Sequence, residues 1–298
     1  YHTKLTTLVL MFNSTELCCV IDDFFLKFEA TYWKFLKQSR HSVRIRPAQL
    51  SLSEINFIAI WYKCSHINNF KAFFSWLKQD KNHLFKNLPC YQRMIHLINM
   101  HQLALHALHV ALMKGQRSQY LWVDSTTLPV CKNQRIQRHK SLAKIASRGK
   151  SSMGWFYGCK LHITMNQLGE IACSALSNGH MADIKMVEHL VEGLEARLYA
   201  DRGYISQELK SRLKSQGIDL ITYHRKNMQS VHCASDEYHL KQRNKIETLF
   251  SLLKGQYNLV TSKARSIHGF LSGIYASLCA YQLTHRNKPK IQIMESVA

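Results

Sequence analysis

Three carboxylates stand out in a strongly basic chain. Asp124 ends the apolar run Leu121-Trp122-Val123, Asp201 ends Leu198-Tyr199-Ala200, and Glu247 lies in the stretch Lys245 to Phe250. Taken singly, an Asp after an apolar strand is ordinarily a turn or cap residue, and a Glu on a helix is ordinarily solvated. Brought together, ionised carboxylates repel, which raises a pKa or recruits a cation. Hard oxygen donors suit Mg²⁺ or Mn²⁺. Three of them could hold two metal ions about 4 Å apart, arranged for in-line attack at phosphorus.

The surroundings of the carboxylates are cationic. On the Glu247 segment, Ile246, Leu249, Phe250 and Leu253 make an apolar stripe at helical spacing, with Arg243, Glu247 and Lys254 as a polar stripe beside it. That stripe is either a surface Arg-Glu pair or a metal ligand between two phosphate-gripping cations. Between Asp124 and Glu170 there is no acidic residue, while Lys132, Arg135, Arg138, Lys140, Lys144, Arg148, Lys150 and Lys160 fall there. A charge run can be no more than a solvated face. Placed after a candidate metal ligand, this one is expected to neutralise an incoming phosphate backbone. Trp155 could stack on an exposed base, but an aromatic entering a strand is expected in the core. Asp183, placed like a helix N-cap before Val187, and Asp219, at a strand start, are weaker candidates for the acidic site. His139, His162, His180 and His224 show no zinc-like spacing and are expected as core or surface residues.

Composition points the same way. The chain has 298 residues, with 40 Lys+Arg against 19 Asp+Glu and a formal charge of +21, so its partner should be a phosphate polymer. No apolar run is long enough to span a bilayer, and a hydrophobic content of 46% argues for a folded core. The nine cysteines include no Cys-x-x-Cys pair, which fits reduced thiols in a cytosol.

The elements that must position these residues fall in two blocks. From Ser14 to about Lys114 the pattern is helical: Ile55, Ile58, Ala59 and Tyr62 follow a Ser51-x-x-Glu54 capping box, and helices are expected at Phe70 to Leu77 and Tyr91 to Leu112. After the polar break Gly115 to Gln119, strands are expected at Leu121 to Asp124, around Tyr157 to Ile163, and at Ile171 to Leu176, the last two joined by a hairpin turn. A helix bearing Val187, Leu190, Val191 and Leu194 follows. Then come the strand ending at Asp201, a helix near Ser206 to Gln216, the strand Ile218 to Tyr223, the Glu247 helix and the block Phe270 to Leu283. This order predicts an α/β domain with a mixed sheet behind an all-α N-terminal domain. A hairpin leaves one edge of the first strand free, and the strand before Asp201 can pair there in parallel, which sets Asp124 beside Asp201.

Several segments in order resemble transposases of insertion-sequence family 982. They are Val123-Asp124-Ser125-Thr126-Thr127-Leu128-Pro129-Val130-Cys131, Arg135 to Lys140, Arg148 to Gly158, Asp201-Arg202-Gly203-Tyr204-Ile205-Ser206 and Ile246-Glu247-Thr248, with Asp22-Asp23-Phe24 and Leu88-Pro89-Cys90-Tyr91 in the N-terminal part. The resemblance covers nearly the whole chain. It implies an RNase H-like catalytic domain whose Asp-Asp-Glu triad, Asp124, Asp201 and Glu247, uses Mg²⁺, or Mn²⁺ as a substitute, to cut and rejoin DNA. Arg243 and Lys254 resemble the basic positions that related transposases place around the Glu. Where some relatives carry a Tyr three residues before that Arg, this chain has Leu240, and Cys90 stands where a small capping Ser is expected.

The expectation is a bacterial DNA transposase in the cytoplasm, associated with the nucleoid and with no membrane partner. Residues 11–115 would recognise the element's terminal inverted repeats, 116–285 would do the chemistry on those repeats and on target DNA, and 286–298 would form a polar tail. Synapsis of two double-stranded ends implies a homodimer or larger assembly. Met11 is the expected natural start, with residues 1–10 as upstream read-through. A nuclease of the same fold that never joins strands, and an inactive DNA-binding relic, are the alternatives. An aspartyl-phosphate phosphatase would want a second Asp where Thr126 stands.

Overall fold

The computed structural model describes residues 13–38, 49–114, 118–223, 232–259 and 264–284. Met11, the break at 115–117, His224 and the tail 286–298 lie outside the described residues.

The chain divides into two units, the first formed by residues up to Leu112 together with Gly255–Leu259 and Ser266–His285. Its helices are α1 (Ser14–Gln38), α2 (Leu52–Cys64), α3 (Phe70–Asp80), α4 (Tyr91–Met100), α5 (Gln102–Leu112) and, from far along the chain, α10 (Ile267–Thr284). The capping box forms as expected: Ser51 Oγ accepts from the Glu54 N–H, and Glu54 accepts from the Ser51 N–H at 2.7 Å. Cys90 caps α4 by position only, with no side-chain hydrogen bond. The expected single helix 91–112 is broken at His101. The His101 ring is buried against Trp33 and bonded through Nδ1 to the Tyr32 hydroxyl at 3.1 Å, and its backbone leaves helical geometry to reach it.

Helix α10 was expected in the catalytic domain, yet it completes the first unit. Ser272 Oγ donates to the Ile98 carbonyl, and Gln282 Nε2 donates to the Leu112 carbonyl. The helix is apolar nearly all round, with Phe270, Ile274, Leu278, Cys279 and Tyr281 buried, which only a central position satisfies. No helix among the described residues is long and apolar enough to cross a membrane.

The second unit is a mixed sheet of β1 (Tyr120–Cys131), β2 (Ser147–Ser151), β3 (Gly154–Asn166), β4 (Ile171–Asn178), β5 (Ala196–Ala200) and β6 (Ile218–Thr222), with helices α6 (Val187–Val191), α7 (Gln207–Ser215), α8 (Ala234–Lys241) and α9 (Asn244–Gly255). The path is β2-β3-β1-β5-β6, and β4 pairs with β3 beside β2. β1, β3 and β4 are antiparallel, while β5 and β6 run parallel to β1. This is the α/β class with a mixed sheet expected for an RNase H-like domain behind a helical N-terminal part. Leu121, Val123, Leu198, Ala200 and Leu220 pack against Val187, Leu190, Leu209 and Leu213 of α6 and α7 on one face.

Three local expectations change. β1 does not end at Asp124 but continues to Cys131, because β3 pairs with it as far as Cys131↔Tyr157. Pro129 is tolerated there: it sits beside a register shift, and β5 pairs with β1 only as far as Trp122, so no second neighbour needs a Pro N–H. β2 was not expected, having no alternating apolar pattern. Asp183 opens a 3₁₀ turn in which Ala182 is the cap position, so it is not an N-cap.

Candidate active site

The parallel pairing of β1 with β5 runs Tyr120↔Arg197, Leu121↔Leu198 and Trp122↔Tyr199. Asp124 and Asp201 each lie two residues beyond the last pair, so the two strands deliver them side by side. Asp201 follows the end of β5 and leads a 3₁₀ turn closed by the Tyr204 N–H donating to its carbonyl at 3.0 Å. Side chains alternate along a strand, so Asp124 shares a face with Trp122. On that face Trp122 stacks on Tyr199 and donates through Nε1 to the His239 carbonyl at 2.9 Å. His239, fully buried, stacks on Tyr120. Tyr199 and Arg197 both bond Asp236 Oδ1. This aromatic clamp fixes α8 on the sheet, and the turn after α8 carries Arg243.

Arg243 joins the carboxylates. Its Nη1 donates to Asp124 Oδ2 at 3.1 Å and its Nη2 to Glu247 Oε1 at 3.0 Å. It sits one residue before α9 rather than on the helix, and the Ile246 N–H donates to its carbonyl. The apolar stripe of α9 is as expected, with Ile246, Leu249, Phe250 and Leu253 buried, which leaves Glu247 exposed beside Arg243. Lys254, farther along α9, is half-buried, and burial lowers its pKa.

Burial dominates the electrostatics of Asp124 and pushes its carboxyl up to about 6. The Ser125 N–H, donating to Oδ1 at 2.8 Å, and Arg243 oppose that rise, while Glu247 and Asp201 add to it by like-charge repulsion. Asp124 therefore feels both of the other candidate carboxylates. Tyr204 lies in the segment Asp201 to Ser206 and was not among the expected site residues. Its phenol is buried and its pKa is raised, first by burial and then by Asp124 and Asp183. The three-residue spacing from Asp201 was the signal that could have found it.

The donor set of Asp124, Asp201 and Glu247 has the chemistry of a hard divalent cation site. Two of its members already turn oxygens to a single cationic group, the Arg243 guanidinium. Among the described residues, no three His, Cys, Asp or Glu side chains stand close enough to form a ready-made metal cluster. The carboxylates fit the ion by type, and the guanidinium lies between Asp124 and Glu247.

The basic stretch divides. Lys132, Arg135, Arg138, Lys140, Lys144, Arg148 and Lys150 are all exposed. Lys160 is not: its Nζ donates to Asp183 Oδ1 at 2.9 Å and to the Met181 carbonyl at 3.0 Å. His162 is buried beside it, with Nε2 bonded to Ser177 Oγ. Trp155, expected in the core, is 61% exposed. Asp219 lies on β6, away from the Arg243 contacts, and is exposed.

A family model described as a transposase DDE domain matches residues 114–267. The chain belongs to this family of DDE transposases. The match covers every strand of the second unit and all three candidate carboxylates. Among solved structures, the chain is similar to the piggyBac transposase in a cryo-EM synaptic complex with hairpin DNA, with a TM-score of 0.47 and 10% identity over 87% of this chain and 72% of that one. No curated protein matches the sequence.

Proposed function

We propose that this DDE transposase acts for an insertion sequence of the family 982 type, cutting DNA at the terminal inverted repeats and joining the ends to target DNA. The observation that carries this reading is the convergence of Asp124 and Glu247, 123 positions apart in the chain, on one cation at 3.1 and 3.0 Å beside Asp201. Asp124, Asp201 and Glu247 would hold Mg²⁺, with Mn²⁺ as a substitute. When bound, the metal would supply Lewis-acid polarisation of the phosphodiester and ease deprotonation of the attacking hydroxyl.

The chain's own residues do the rest. Ser125 holds one Asp124 oxygen through its N–H, which leaves the other oxygen for the cation. Arg243 balances the carboxylates in the resting protein, then turns to the substrate phosphate. Lys254 and the exposed cations from Lys132 to Lys150 hold the DNA backbone. Residues of the helical unit recognise the repeats. A homodimer or larger assembly brings two ends together, and the work takes place on the nucleoid in the cytoplasm.

The test uses full-length protein, Mg²⁺ and a labelled duplex carrying the inverted repeat that flanks the gene. Wild type should nick at the repeat end and transfer the strand, and Asp201→Ala should do neither. Cleavage without regard to the repeat would favour a nuclease. Binding with no cleavage in wild type would favour a relic.

A further inference from the structure

The β2–β3 hairpin carries an aromatic side chain that the fold does not use. Trp155 stands opposite Lys150 in the β2–β3 register, and the Lys150 ammonium lies 6.0 Å from the centre of its ring. Although it enters a strand, Trp155 is 61% exposed, and Met153 at the hairpin tip is 95% exposed. Gly154, at φ +105°, gives the tip a backbone geometry that a side chain would strain. Asn133 Nδ2 donates to the Trp155 carbonyl at 2.9 Å, tying the 3₁₀ turn Asn133–Arg138 to the hairpin. The result is an open cavity of about 810 Å³ whose walls include Lys132, Arg135, Arg138, Met153 and Trp155.

The chemistry of these walls is specific in combination. An exposed indole face with a thioether beside it offers flat dispersion contact and no hydrogen-bond pattern. Three cations in the same lining call for anionic oxygens, and two are guanidinium groups suited to phosphate. A ligand meeting both demands has a flat π-face and a phosphate attached. In a paired duplex the faces of the bases are covered by their neighbours, so only an unstacked base can use the indole.

We propose that this cavity binds an unstacked nucleotide of the DNA strand, its base on Trp155 and its phosphate on Arg135 and Arg138. The proposal rests on the transposase reading for its DNA. It adds a subsite for unpaired DNA, distinct from backbone contact alone.

The test compares two oligonucleotide duplexes of the same sequence, one fully paired and one with a single unpaired thymine, by fluorescence anisotropy without Mg²⁺. Wild type should bind the bulged duplex about tenfold more tightly. Trp155→Ala should lose that preference while binding the paired duplex as wild type does, and Trp155→Phe should keep most of it. Equal affinity of wild type for both duplexes, or an undiminished preference in Trp155→Ala, overturns the subsite even if Mg²⁺-dependent nicking is intact. Wild type that binds neither duplex overturns the transposase reading and the subsite together.

Discussion

Arg243 is a counter-ion to two carboxylates and, in the proposed metal site, a competitor. Its guanidinium bonds Asp124 and Glu247, so a divalent cation that uses those oxygens must displace it. Arg243→Gln should therefore tighten Mn²⁺ binding in the absence of DNA by about tenfold, the scale of one charge-assisted hydrogen bond. Mn²⁺ electron paramagnetic resonance can measure this. The same variant should cleave DNA poorly, since the phosphate loses its cation, and unchanged Mn²⁺ affinity would show that Arg243 does not contend for the site. Asp124 makes a second prediction. Its folded pKa of about 6 lies above the ordinary carboxylate value, so between about pH 4 and 6 the folded state holds a proton that the unfolded state has released. Stability contributed by this group is present at low pH and is lost as pH rises through that window. Asp124→Asn should flatten that part of the metal-free stability–pH curve in thermal melts. Metal uptake has the opposite sign and should fall as pH drops below about 6, because only the ionised carboxylate binds.

The β2 strand owes its place to backbone contact. A Cβ on Gly149 would collide with the carbonyl of Gly179, and the His180 N–H donates to Ser147 Oγ at 2.9 Å beside it. Gly149→Ala should cost about 1–3 kcal/mol, as overpacked sites do. Hydrogen exchange should show the loss at Ser147–Ser151, with the β1–β5 pairing untouched. This contact also shows why β2 was illegible in the sequence: its position is set by two glycines, and neither leaves a hydrophobic pattern. The parallel partner of β1 and the buried stripe of α9 could be read because apolar residues at periods of 2 and 3.6 have one way to face a core. Asp124, Asp201 and Glu247 were legible as candidates for the same reason, since their strands and helix were. The Arg243–Asp124 bond spans 119 positions, and no local spacing announces it. Trp155 was misplaced because aromatic residues in strands usually bury, whereas this one lies on the outer part of a hairpin beside a cavity. The break at His101 escaped notice because the apolar periodicity runs on past it, and only the tertiary contact with Tyr32 reveals it.

At the scale of the whole molecule, charge governs the encounter with DNA. A net charge of +21 with exposed cations from Lys132 to Lys150 predicts binding that weakens steeply with salt. Each of Lys132, Arg135, Arg138, Lys140, Lys144, Arg148 and Lys150 that contacts a phosphate should, when changed to Gln, lower the slope of log K against log salt by about 1. Lys160→Met should leave the slope unchanged, because that ammonium is committed to Asp183. A filter-binding titration at several salt concentrations separates the two classes. A slope equally sensitive to Lys160 would mean that its ion pair opens to DNA.

The place of α10 has a bearing on the order in which the protein is made. The first unit needs this helix against α5, α4 and α2, yet 154 residues separate Leu112 from Ile267. At translation speeds of about 5–20 residues per second, the ribosome takes roughly 8–30 s to cover that gap. The sheet that bears Asp124 and Asp201 is made within that interval, and at its end the helical segment still lacks its central member. A chain cut short before α10 would thus keep its chemistry-bearing strands and lose the unit proposed to choose the DNA.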